Sequence, residues 1–295
     1  MISTAAPPVR RIPQLDGIRG SAILLVLIWH FLVAPTSLVS NGGFAARVIA
    51  RAGSLTWSGV DLFFVLSGFL IGGILIDSKD SPRYFSTFYI RRVFRILPIY
   101  LFLVLAYLCV WNATTGNIPV LGETLGRPVP WYVYLTFTQN IWFAHHGWVG
   151  VYLGPSWSLA VEEQFYLLLP TMIRVLPRRF LLPTAVVLAA GSTAARTLLY
   201  LHYGPAWSLA AYMLIICRAD ALMLGVVCAV LLREDRCKKF LAENLWAVRS
   251  SLAIFGFGVA IFIYKDWGFG TRPMWTLGFT WVAAFYASLL MLAMV

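Results

Sequence analysis

Apolar residues in this chain are gathered into long unbroken runs, not into the alternation of a half-buried strand or the stripe of a soluble helix. Runs at about 21–39, 58–76, 96–111, 156–176, 180–202, 208–232, 249–264 and 273–295 approach or exceed the length that crosses a bilayer core of about 30 Å. In hydrocarbon the backbone must satisfy its own hydrogen bonds, so each run predicts an α-helix. The expected fold is therefore all-α, a polytopic transmembrane helical bundle with about eight spans, in a single domain over 1–295 with no internal repeat. Because the last residues, up to Val295, lie inside an apolar run, the expectation is a chain truncated at its C-terminal end.

One apolar stretch does not fit the span pattern. Residues 131–146 are rich in Trp, Tyr and Phe but carry Gln139 and Asn140 near the centre, and they follow a segment studded with Gly116, Pro119, Gly122, Gly126, Pro128 and Pro130. The stretch is too short and too polar to cross, which predicts a re-entrant or interfacial segment. Residues 112–155 are then a candidate lid on the acceptor side; an aromatic belt at the outer surface is the alternative.

Charge supports the same topology. With the N-terminus in the cytoplasm, sixteen of the 23 Lys and Arg residues fall in inside segments, among them Arg10, Arg11, Arg91, Arg92, Arg95, Arg178 and Arg179. That count holds only if 131–146 does not cross. The start, with Arg10 and Arg11 ahead of the first run and no small-residue cleavage site, reads as a retained signal anchor. At 60% hydrophobic and 12% charged residues, with a mean hydropathy of +0.79, the chain belongs in a lipid bilayer. Its net charge of +11 lies in the short inside loops, which excludes nucleic acid as the expected partner. The four cysteines, Cys109, Cys217, Cys228 and Cys237, have no CxxC spacing, and no His/Asp/Glu set has ligand spacing, so no metal is expected.

Candidate chemistry begins at the first run. Arg19 and His30 are eleven residues apart, about 1100° on a helix or roughly 20° past three turns, so they share one face about 16 Å apart in height. A cation near the surface and an imidazole at mid-depth suit a ligand with an anionic head and a distant reactive end, the shape of a coenzyme A thioester. A lone histidine can be a satisfied core residue, but an ionisable group inside a membrane is a functional hypothesis by default. His145 and His146 are weaker candidates.

In the second run Ser67, Gly68, Gly72 and Gly73 allow close helix approach, and Asp61 opens the run as a cap or an ion-pair partner. Arg91, Arg92 and Arg95 before Pro98 are either a stop-transfer cluster or, with Arg19, a phosphate clamp, since Arg92 and Arg95 lie three apart on one face. Glu162 and Glu163 sit about six residues below the outer surface, where a carboxylate costs on the order of 2.5–3.5 kcal/mol on insertion scales. One is expected to be structural and the other to be near the reaction. Arg218 is a candidate partner for a Glu, and Asp220, about 200° away on its helix, pairs elsewhere.

The stretches LDGIRG with Arg19-x10-His30, GVDLFFVLSGFLI, FYIRRVFRILP, SWSLAVEEQFY and CRADALMLG, in that order over 15–232, resemble the acyltransferase family 3 membrane proteins. The resemblance implies transfer of an acyl group, commonly acetyl, from cytoplasmic acyl-CoA to a hydroxyl of a surface carbohydrate or similar acceptor reached from the outer side. It implies a bacterial inner membrane location, His30 as base or acyl relay, Arg19 in the donor site, and Ser67, Gly68, Arg92 and Arg95 near that donor. The mechanism expected from these residues adds Glu162 or Glu163 beside His30, orienting or charge-balancing the imidazole. The family has about ten membrane helices, two more than are expected here. Two other readings stay open: a proton-coupled transporter or flippase of a lipid-linked sugar, which predicts inverted repeats that the sequence lacks, and an acyl-CoA-binding remnant without turnover.

Overall fold

The computed structural model describes residues 12–34, 43–114, 129–148 and 152–295, and among these there are helices and turns but no strand. Arg10, Arg11 and most of the Gly/Pro-rich stretch, Gly116 to Pro128, lie outside the described residues, as does the end of the first apolar run. Helix α1 (Pro13–Ile28) opens on Pro13, where a missing N–H costs nothing, and runs into a π-helical turn at Trp29–Val33. Helix α2 (Phe44–Ala52) and a 3₁₀ turn at Thr56–Ser58 lead into α3 (Gly59–Asp77), and α4 (Tyr84–Thr114) comes next.

Two short helices, α5 (Trp131–Leu135) and α6 (Gln139–His146), precede α7 (Trp157–Val175) and α8 (Arg178–Tyr203). The chain then forms α9 (Ser208–Met213), α10 (Ile215–Leu231), α11 (Asp235–Glu243) and α12 (Leu245–Tyr264). A second π-helical turn at Met274–Gly278 continues as α13 (Phe279–Met294).

In their described residues all eight apolar runs are helical. Among the described residues six helical stretches are long and apolar enough to cross a membrane, or seven if α10 and α11, bent by 91°, count as one span, beside the eight or so expected. Helix α7 is not among them because Glu162, Glu163 and Arg174 stand within its 19 residues. The 96–111 run begins earlier than expected: the segment from Tyr84 through Arg91, Arg92 and Arg95 is the start of α4 and not a loop. The 208–232 run is two helices, broken at Leu214 in extended geometry (φ −74°, ψ 135°). Asn140 of α6 donates to the Met213 carbonyl at 3.1 Å, one of the groups that the break withdraws from the helical ladder.

Residues 131–146 form two helices of five and eight residues, too short to cross, joined at Thr136–Thr138. The polar residues that made this stretch conspicuous hold it in place. Gln139 and Asn140 are fully buried. Gln139 Nε2 donates to Tyr100 Oη and to the Ser156 carbonyl, both at 3.1 Å. Asn140 and Gln164 of α7 exchange amide hydrogen bonds at 3.2 and 2.8 Å.

The bundle is centred on α3, whose stretch is 72% buried against 11% for the stretch containing α1. Its most extensive partner is α10, followed by α1 and α13. In lipid, helices associate through close packing and not through the hydrophobic effect, so small residues decide where backbones meet. A β-carbon on Gly68 would overlap the Leu222 carbonyl, and one on Gly225 would overlap the Val65 carbonyl. Gly68 therefore belongs to the α3–α10 crossing and presents no free surface to a donor. Helix α1 crosses the same helix at Gly59, where a β-carbon would meet the Ala22 carbonyl at 2.7 Å and Leu25 Cβ at 2.9 Å.

Gly68→Leu and Gly225→Leu are expected to destabilise the protein by about 1–3 kcal/mol or more. Gly191→Ala, with nothing within 4 Å of the new methyl, is expected to be neutral or to stabilise by up to about 1 kcal/mol. Thermal unfolding in detergent followed by circular dichroism reads all three; equal behaviour of Gly68→Leu and Gly191→Ala would contradict the crossing.

Candidate active site

Leu15, Ala22 and Val33 are the buried positions of α1 and its π-helical turn, and Arg19 and His30 flank that stripe, both partly buried. Arg19 donates to Asp16 at 2.9 Å, an i,i+3 pair whose side chains are 37% and 56% exposed, so the guanidinium is held at the helix start yet stays accessible. His30 is the second residue of the π-helical turn, a local widening that recurs at functional sites. Its Nδ1 lies 2.8 Å from the Val26 carbonyl. A carbonyl only accepts, so in neutral imidazole the proton sits on Nδ1 and the Nε2 lone pair is free.

Among the described residues no hydrogen bond or ion pair joins His30 to Glu162 or Glu163. Glu162 is engaged elsewhere. Tyr166, one helical turn further along α7, donates to Glu162 Oε2 at 2.8 Å, and Ser67 of α3 lies 2.5 Å from the same phenol oxygen. Since the phenol proton goes to the carboxylate, Ser67 donates to Tyr166. Arg92 of α4 covers the Tyr166 ring at 4.8 Å and the Phe88 ring at 5.8 Å. Ser67, Glu162 and Arg92 thus come together through Tyr166, a residue with no role in the sequence-based expectation, although the Glu162-x3-Tyr166 spacing placed both on one face. Arg92 is partly buried on the aromatic rings, while Arg95 is exposed.

Arg92 also lines a cavity of about 260 Å3 between α4, the α5–α6 junction and α7, together with Glu163 and Gln164. The Glu163 Oε1 atom is buried without a hydrogen-bond partner among the described residues. His146, a weaker candidate, donates from Nδ1 to the Trp142 carbonyl at 2.9 Å and stacks on the Trp142 ring at 4.1 Å.

Asp61, Arg196, Arg218 and Asp220 are buried in the core of the bundle. Arg218 of α10 donates to Asp61 of α3 at 2.7 Å, both fully buried, and its guanidinium lies 4.6 Å from the Phe279 ring and 5.2 Å from Tyr212. This corrects the pairing of Arg218 with a glutamate. Asp220 accepts from Arg196 of α8 at 2.8 Å and from Thr280 of α13 at 2.6 Å. Among the described residues no cluster of three or more His, Cys, Asp or Glu side chains could hold a metal.

These features define a helical membrane protein that keeps an oriented imidazole on one helix and a separate polar cavity on others. Residues 12–295 match the family model described as an acyltransferase domain, and the chain belongs to that family. It is 34% identical over 179 residues to the YrhL protein of Bacillus subtilis, covering 56% of this chain and 24% of that one. It is 30% identical over 174 residues to the peptidoglycan O-acetyltransferase OatA of Listeria monocytogenes, with the same coverage of 56% and 24%. The O-acetyltransferase OatA of Staphylococcus aureus is 27% identical over 263 residues, 86% of this chain and 40% of that protein. The matched region is thus less than half of each relative's length. No solved structure matches the chain.

Breaking a buried pair leaves an uncompensated charge. Asp61→Asn is expected to cost about 3–5 kcal/mol, and Asp61→Leu combined with Arg218→Met to recover most of it. Denaturant unfolding of the two variants checks this, and equal loss in both would show that the pair itself is not what the core depends on.

Proposed function

We propose that this chain is an integral membrane O-acyltransferase of a bacterial inner membrane, with its N-terminus in the cytoplasm. It takes an acyl group, acetyl, from acyl-CoA on the cytoplasmic side and delivers it to a hydroxyl of a carbohydrate on the outer side. Family membership supports the acyl transfer, and two matched relatives, whose names state O-acetyltransfer, support a hydroxyl acceptor. Peptidoglycan, in the name of the Listeria relative, is the acceptor class this suggests.

The observation that carries the reading is the imidazole of His30, whose Nδ1 lies 2.8 Å from the Val26 carbonyl, an arrangement that leaves Nε2 to accept a proton when the ring is neutral. Neutral His30 accepts the acceptor hydroxyl's proton on Nε2 as the hydroxyl oxygen forms its bond to the thioester carbonyl carbon. The carbon–sulfur bond then breaks, and the departing thiolate takes the proton back as coenzyme A. A general base of this kind contributes about 10²–10⁴-fold. Arg19, on the same face and partly exposed, meets donor phosphates, and the exposed Arg95 serves the same anion.

His30→Ala is expected to lower acetyl transfer from radiolabelled acetyl-CoA at least 100-fold with donor binding kept. Arg19→Ala is expected to raise the donor KM more than it lowers kcat. Wild-type turnover unchanged in His30→Ala would remove the histidine from the mechanism.

A further inference from the structure

Two turns meet at one end of the bundle, the turn from α3 to α4 and the turn from α7 to α8, and both are rich in cations. Lys79 and Arg83 belong to the first, and Arg174, Arg178 and Arg179 to the second. Hydrogen bonds lace the two together. Lys79 Nζ donates to the Leu176 carbonyl, and Arg174 donates to the Lys79 carbonyl. Tyr84 donates to the Pro170 carbonyl at 3.0 Å, with the Arg174 guanidinium 5.7 Å from its ring. The acids of the two turns are Asp77 and Asp80. Asp77 is taken up by Arg233 in bonds of 2.6 and 2.7 Å, so five cations stand against Asp80, which Arg178 meets at 3.4 Å.

A stop-transfer role accounts for basic residues on this side of the membrane but not for their convergence. Like charges repel, and cations that only mark topology would spread into water. Arg178 and Arg179 also open α8, where the helix dipole is positive and favours an anion over a cation. The surroundings give the source of that anion. Val175 is 73% exposed and Phe180 is 46% exposed, each next in sequence to an arginine of the cluster, and Arg179 lies 4.8 Å over the Phe180 ring. A soluble nucleotide would leave these apolar faces bare. A phospholipid sets its phosphate among the cations and its chains along the apolar residues beside them.

We propose that the α3–α4 and α7–α8 turns form a site for an anionic phospholipid of the cytoplasmic leaflet, its phosphate held by Arg83, Arg178 and Arg179 and its chains laid along Val175 and Phe180. The proposal uses the orientation of the preceding section and no other part of it. The spanning stretch of α4 is 17% buried, so this helix has little protein around it, and a lipid seated at the turns ties its start to the α7–α8 corner.

The test compares headgroups. Purified full chain is placed in nanodiscs of phosphatidylcholine alone or mixed with phosphatidylglycerol. Native mass spectrometry reads the lipid that stays bound, and circular dichroism reads thermal unfolding. The wild type is expected to retain phosphatidylglycerol in preference to phosphatidylcholine and to unfold at a higher temperature in the mixture. Arg83→Gln combined with Arg179→Gln should weaken that retention by about 25-fold, at about fivefold for each basic side chain near an anionic surface, and should remove the thermal gain. Both residues are exposed, so unfolding in phosphatidylcholine alone should be unchanged. Arg236→Gln combined with Lys238→Gln, exposed on α11 at the same end of the bundle, should retain the lipid as wild type does. Asp80→Asn, which removes the opposing carboxylate and leaves every cation in place, should raise retention.

Equal retention of the two lipids by the wild type overturns the site. So does an equal loss in the α11 variant, which would reduce the effect to the general attraction of a basic surface, and so does displacement of phosphatidylglycerol by acetyl-CoA, which would give the cations to the donor. A fall in retention in Asp80→Asn would contradict the site even if the arginine variants failed to fold. None of these outcomes touches the O-acyltransferase reading, which His30→Ala tests without reference to the headgroup.

Discussion

Two helices can approach closely inside a bilayer only where side chains are absent, and in this protein that condition is met by Gly68 and Gly225, where α3 and α10 touch backbone to backbone. The approach brings Asp61 and Arg218 within 2.7 Å in a fully buried setting enclosed by Phe64, Tyr212 and Phe279. Neither feature would hold without the other. Bare glycine contacts specify proximity but little about register, while a buried ion pair is a poor source of net stability that strongly penalises a wrong register. Helix α10 also carries Asp220 to Arg196 of α8 and Thr280 of α13, so one helix aligns three neighbours by charge.

Much of the helical content was legible because long apolar runs in lipid have one backbone solution. The contacts that join them were not. The expected partner of Arg218 was a glutamate of α7, since helical angles give the direction a residue faces but not which helix it faces; the carboxylate that meets it lies 157 residues away, at Asp61. The break at Leu214 was also hidden. The stretch around it is apolar without proline or glycine, and the group that compensates the break, the Asn140 amide, comes from another segment. That Asn140 and Gln139 could not lie in a simple span was visible in the sequence.

The candidate site shows the same division. That Arg19 and His30 lie on one helix was legible from spacing alone, while the contact of His30 Nδ1 with the Val26 carbonyl appears only in the folded chain. Glu162 and Glu163 look alike in sequence but differ in the folded chain. Glu162 ends a hydrogen-bonded line from Ser67 through Tyr166, while Glu163 lines the cavity and keeps one oxygen buried without a hydrogen bond. Adjacent helical residues point about 100° apart, and that angle is enough to give the two carboxylates different surroundings.

The π-helical turn at Trp29–Val33 has a consequence for the length of α1. A π turn holds one residue more than an α turn, so residues beyond it are rotated by about 100° relative to an unbroken α-helix. Val33 sits at Gly53, where a β-carbon on that glycine would strike its side chain, because of this offset. Remove a single residue within the turn and the helix would close up as regular α, with His30 kept near its place but Val33 swung away from its socket. Helix α1 therefore tolerates substitution far better than deletion here: the spare residue lets the histidine end and the Gly53 end of the segment each find their own register.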